Sequence, residues 1–190
     1  MRVPLLFLVC VKMAIAQLLP FKIGQAVYVP AFKKYYEITG VDTIYKILGW
    51  NSTDNTWEKD ATDTLSAGSN TDYRKVDELN PPTDEFHRIT GIGINARKLY
   101  LYIKQPSGVD RLGTSVQAVG ELNGIISPKD NPRPLYNFFV VNNKPPYIKA
   151  ENKYDGVTVT PQLYVYGFRY KWKEITKPAE FITITVGGIQ

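Results

Sequence analysis

An all-β fold, built as a single β-sandwich, is what this sequence predicts, and three features lead there. The stretch LYVYGFRYKWKEI at 163–175 carries a ring at every second position, namely Tyr164, Tyr166, Phe168, Tyr170 and Trp172. That period of two is the side-chain alternation of a β-strand. Thirteen Tyr, fourteen Gly and thirteen Pro in 190 residues favour short strands joined by turns over long helices. Apolar runs are separated by turn formers: Gly108, SPKDNPRP at 127–134, NNKPP at 142–146, KYDG at 153–156 and TKP at 176–178.

The chain opens with MRVPLLFLVCVKMAIAQ. Arg2, the apolar run 3–11 and the small-x-small triplet Ala14-Ile15-Ala16 have the form of a secretory leader cleaved before Gln17. Cleavage would take Arg2 and Lys12, hence two units of the +5 formal charge, and would remove Met1, Cys10 and Met13. The remaining chain would hold no sulfur, a composition suited to an oxidising exterior. A retained segment reads instead as an apolar arm, residues 1–20, that reaches a neighbouring subunit or touches a membrane through residues 3–19. Its apolar run falls short of the ~20 residues of a membrane-spanning helix.

Residues 21–190 are expected to form one domain, a length that supports a core without metal or disulfide. Strands are predicted at 25–29, 35–41, 43–50, 87–94, 98–104, 114–120, 136–142, 147–150, 156–160, 163–175 and 180–187. So many short strands at regular intervals suggest a sandwich of jelly-roll type. The interval 51–83 departs from the pattern and is expected to be a long polar loop, of the kind that is usually functional. Within it, 72–80 suggests a helical turn capped by Asp72.

The chemistry the residues support is narrow. His87 is the only histidine and Cys10 the only cysteine, so any Ser-His-Asp or Cys-His arrangement must use His87, and no G-x-S-x-G surrounds a serine. A zinc site needs several such ligands. TGIGINA at 90–96 has the spacing G-x-G-x-x-A, but it runs into a strand rather than opening a helix, so its glycines are expected to relieve crowding in a sheet or make a bulge. Asp54, Glu58, Asp60, Asp63 and Asp72 cluster in the loop without a D-x-D-x-D-G calcium pattern, so a solvated acidic loop is the simpler reading. Paired carboxylates of a glycosidase could be drawn from many positions, and no spacing singles any out. Asn51-Ser52-Thr53 is a glycosylation sequon if the chain is exported. No catalytic residue, metal or cofactor is assigned.

Burial is expected for the five rings of 163–175, because each removes roughly 150–250 Å² from water at roughly 25 cal/mol per Å². Arg169, Lys171 and Lys173 then project from the opposite face as a basic surface. The basic residues are too scattered for specific nucleic-acid binding.

The segment NPRPLYNFFVVNNKPPYIKAENKYDGVTVTPQLYVYGFRYKWKEI, 131–175, resembles viral structural proteins with jelly-roll folds, through its PRPLYNFFVV strand entry, PPYI turn and late TPQLYVYGFRYKWKEI strand. That resemblance implies a non-enzymatic subunit assembling into a virion shell or spike with copies of itself and with other structural proteins. The leader-like start points instead to an extracellular filament or surface layer built from the same kind of sandwich. Expected contacts are the N-terminal segment, the 51–83 loop and the face of Arg169, Lys171 and Lys173. The alternative is a secreted carbohydrate-binding module using Trp50, Trp57, Tyr73 and Trp172.

Overall fold

The computed structural model describes residues 19–95, 99–106, 118–153 and 156–186. Residues 1–18 of the expected leader or arm at 1–20, and part of the strand expected at 114–120, lie outside them. Among the described residues, eleven strands and one 3-10 turn follow in order: β1 (Ala26–Val29), β2 (Lys34–Asn51), β3 (Thr56–Lys59), β4 (Arg74–Lys75), the turn Asp77–Leu79, β5 (Glu85–Ile94), β6 (Leu99–Pro106), β7 (Ala118–Ile125), β8 (Arg133–Val141), β9 (Tyr147–Asn152), β10 (Gln162–Ile175) and β11 (Ile182–Thr183). The fold is all-β and sandwich-like. A seven-stranded sheet runs β11-β1-β2-β10-β5-β8 with β3 beside β2, and a four-stranded sheet runs β4-β9-β6-β7.

Four stretches differ from the sequence reading. The expected strands at 35–41 and 43–50 are one strand, β2, because Asp42 and Thr43 continue its pairing with β10 through Arg169 and Phe168. The 156–160 stretch forms only a bridge between Val159 and Leu65, and 180–187 contributes two strand residues. The 51–83 interval is not a bare loop: it returns as β3 against β2, adds β4 to the small sheet and ends in the turn at Asp77–Leu79.

Strands β2 and β10 set the architecture by burying opposite faces in their two halves. Leu163 and Val165 on β10 meet Leu48, Ile89, Ile92 and Ile94 of the large sheet and Leu101, Ile103, Ile148 and Ala150 of the small one. This first core fills the space between the sheets. Farther along, the other face takes over: Tyr170 and Trp172 pack with Val27, Val29, Ile38, Phe86, Phe139, Val141, Ile184 and Val186. Residues from β1 at one side of the sheet and β8 at the other share this second core, so the sheet curls around it. Unpaired Thr39 in β2 and Thr90 in β5 mark two register shifts, and such bulges bend strands.

The glycines of 90–96 lie inside β5, with no helix after them. A Cβ on Gly93 would come 2.9 Å from the Lys129 Cα, and one on Gly91 would come 3.5 Å from the Pro132 Cβ. Their absence of side chains lets the 128–132 segment lie against the sheet.

Candidate interaction surfaces

The five rings of β10 stay on one face through its unbroken alternation, but they do different things. Tyr170 and Trp172 lie in the second core, and Phe168 packs partly against it. Tyr164 is buried and donates its hydroxyl to Gln162 Oε1 at 3.0 Å. Tyr166 is half-exposed: it donates to the Lys129 carbonyl at 3.0 Å and its ring lies 5.1 Å from Tyr45. The rings therefore do not share the layer between the sheets, which Leu163 and Val165 occupy from the opposite side.

Beyond the reach of the second core the 128–132 segment covers this ring-bearing face over Gly91 and Gly93, and the face is open on the β2 side. Tyr45, 58% exposed, and Ile47, 38% exposed, extend it beside Tyr166. Register places Tyr45 opposite Tyr166 and Ile47 opposite Tyr164. A second apolar patch lies near the other end of β2. Tyr28, Tyr35 and Phe181 have centroids 4.7, 5.0 and 6.0 Å apart, with Phe181 39% exposed. Tyr35 pairs with Ile175, an odd position of β10, whereas Tyr45 pairs with an even one. The two patches thus lie on opposite faces of the sheet at opposite ends.

The basic face is largely neutralised where it stands. Arg169 donates to Asp42 at 2.5 Å, and that pair holds the Asp42 carboxyl below its usual pKa. Lys173 lies 3.3 Å from Glu37; on the ring-bearing face, Lys34 lies 2.6 Å from Glu174. Lys171 is exposed beside Gly40. A face whose cations already hold carboxylates has little left for phosphates.

Trp50 and Trp57, expected as ligand contacts, are withdrawn from any ligand: they are 5% and 1% exposed in the first core, 5.4 Å apart. Their cross-strand pairing welds β3 onto β2 and turns both indoles inward. Tyr73 is half-buried with the Lys104 ammonium 3.8 Å from its ring centroid. In the acidic stretch, Asn51 Nδ2 donates to Asp54 at 3.0 Å and Glu58 at 3.1 Å, and the Ser52 hydroxyl and N–H donate to Asp63 at 2.7 Å. Among the described residues no three groups of metal-ligating type converge, and no helix is long and apolar enough to cross a membrane.

Two neighbours on β5 carry buried polar groups that the sequence reading assigned no surroundings. His87 borders a cleft of about 340 Å³ shared with Lys46, Glu85, Asn80 and Arg169. Burial and the nearby Lys46 cation push its pKa down to about 4, against a hydrogen bond with the Leu79 backbone, and its Nδ1 has no partner. It is therefore neutral at pH 7. Arg88, on the other face, donates to the Leu19 carbonyl at 2.7 Å and lies over Phe21 and Phe139, 5.2 and 5.9 Å from their centroids. Burial lowers its pKa, with Tyr170 opposing. Phe21 N–H donates to the Tyr170 hydroxyl at 3.2 Å. Arg88 and Tyr170 together pin residues 19–21 onto the second core. An arginine inside the apolar HRITGIGI run was the one sequence signal of this anchor.

Comparison with family models, with curated proteins and with solved structures gives no match.

Proposed function

We propose that this chain is a non-enzymatic structural subunit that works by associating with copies of itself, in a virion shell or spike or in an extracellular filament or surface layer. The observation that supports this reading is the placement of two exposed apolar patches, Tyr45–Ile47–Tyr166 and Tyr28–Tyr35–Phe181, on opposite faces and at opposite ends of β2. A single patch related to itself by a two-fold axis closes a dimer. Two distinct patches instead let one copy present its first to the second of the next, a heterologous contact that yields rings or filaments. The occupant of each patch is thus another copy of this chain. Exposed contiguous apolar surface of this kind marks interaction sites on proteins.

Ionic strength separates this reading from one based on the basic face. Contacts through Tyr and Ile side chains persist as salt rises, whereas contacts between exposed charges weaken within a Debye length of about 8 Å at physiological salt. Light scattering across concentration, with negative-stain images of the largest species, tests the proposal. Ordered rings, shells or filaments that survive high salt are expected; a monomer at every concentration overturns it.

A further inference from the structure

We propose that the cleft around Tyr36 and Trp172 is a binding site for a neutral pyranose sugar. The cleft, about 490 Å³, is walled by Phe32, Tyr36, Trp172, Lys34, Thr83 and the Asn142–Lys144 turn. That volume lies in the range of about 300–1,000 Å³ typical of small-molecule sites. Three separate turns of chain bound it: the β1–β2 connection, the segment ahead of β5 and the β8–β9 connection.

Its aromatic part is held firmly. Tyr36 stacks on Trp172 with centroids 4.1 Å apart and planes 17° from parallel. Trp172 donates its indole Nε1–H to the Thr83 carbonyl at 3.1 Å and its backbone N–H to Asp84 at 3.0 Å. Phe86, 4.7 Å from Trp172, supports it from within the second core. One face of the Tyr36 ring is thus committed to Trp172, and half-buried Tyr36 and Phe32 border the open space.

The polar part is held as well. Asn142 Nδ2 donates to the Pro81 carbonyl at 2.8 Å, and the Asn143 N–H donates to Asn80 Oδ1 at 2.9 Å. Asn143 stands at φ 61°, a left-handed conformation that asparagine tolerates, which turns the chain tightly at the rim. Apolar ring faces beside amides and an ammonium match the two sides of a pyranose, whose C–H faces are apolar and whose edge hydroxyls both donate and accept. Lys34 is paired with Glu174 at 2.6 Å, and apart from it and Lys144 the lining is of rings, amides and a hydroxyl, which favours an uncharged sugar over an anionic one. Trp172, expected from sequence as a sugar contact beside Trp50 and Trp57, is the one of the three tryptophans at this cleft.

Saturation-transfer NMR with the methyl glycosides of glucose, galactose, mannose and N-acetylglucosamine tests the site on the full chain, with the Trp172 indole N–H signal followed in parallel. At least one glycoside is expected to bind and to move the Trp172 signal while the Trp50 and Trp57 signals stay put. Tyr36→Ala is expected to weaken that binding by about tenfold or more, equivalent to about 1.4 kcal/mol. Should Tyr36→Ala fail to fold, Lys34→Ala, on an exposed side chain, is expected to weaken binding severalfold with the melting temperature held. No transfer to any of the four probes, or binding that leaves Trp172 unmoved or survives in the folded variants, overturns the proposal. The result is independent of self-association, because neither apolar patch includes Tyr36 or Trp172.

Discussion

His87 is 6% exposed and surrounded by unlike charges: Lys46 from β2, Arg169 from β10 and Glu85 on its own strand border its cleft. With its folded pKa at about 4, below the unfolded 6.5, the unfolded chain takes up a proton first as pH falls. Stability from this group is complete above about pH 6.5, declines through the window between the two values and levels off below about 4. The loss is about 3 kcal/mol at about 1.4 kcal/mol per pH unit. Denaturant unfolding at several pH values should show it, and the His87→Gln variant should lose that part of the decline while keeping the part due to carboxylates such as Asp42. As the sole histidine, His87 gives one imidazole NMR titration, and a midpoint near 6.5 would contradict its burial. Its sequence neighbourhood announced a strand but not the cations that other strands bring beside it.

At the scale of elements, glycines report where backbones touch. A Cβ on Gly49 would come 1.7 Å from the Ala61 carbonyl oxygen, whereas one on Gly40 would meet the Lys171 Cβ at an ordinary 3.4 Å. Gly49→Ala is therefore expected to force β2 and the 61–63 segment apart, costing about 2–4 kcal/mol, and Gly40→Ala to change stability by less than about 1 kcal/mol. Thermal unfolding of the two variants checks the contrast, and equal shifts would contradict the packing. The alternation of β10 was legible in the sequence because period two is a property of the strand itself. Which half of the strand buries which face was not, because that depends on bulges at Thr39 and Thr90 and on where the small sheet ends. The fate of Trp50 and Trp57 was hidden for a similar reason. A polar run after Asn51 looks like a loop until Thr56–Lys59 folds back and turns both indoles into the first core.

The whole molecule has two cores on opposite faces of one curled sheet, and surface features that follow from that division. Where the small sheet stops, the basic face of Arg169, Lys171 and Lys173 is open, with Arg169 and Lys173 paired with Asp42 and Glu37. Where the second core stops, Tyr45 and Ile47 are open and unshielded. The all-β class was legible from turn spacing and aromatic alternation, since both are local. The patches were not, because Tyr45 and Tyr166 are neighbours only through the β2–β10 register.

Sedimentation velocity of the wild type beside a Tyr45→Asp, Ile47→Asp double variant addresses self-association most directly. Tyr45 is 58% and Ile47 38% exposed, so the variant should fold with a modest drop in melting temperature, while a charge buried between copies without a partner is strongly unfavourable. The wild type is expected to sediment as large species and the folded double variant as a monomer or a small closed oligomer. A wild type that sediments as a monomer, or a double variant that assembles just as the wild type does, would contradict assembly through this face.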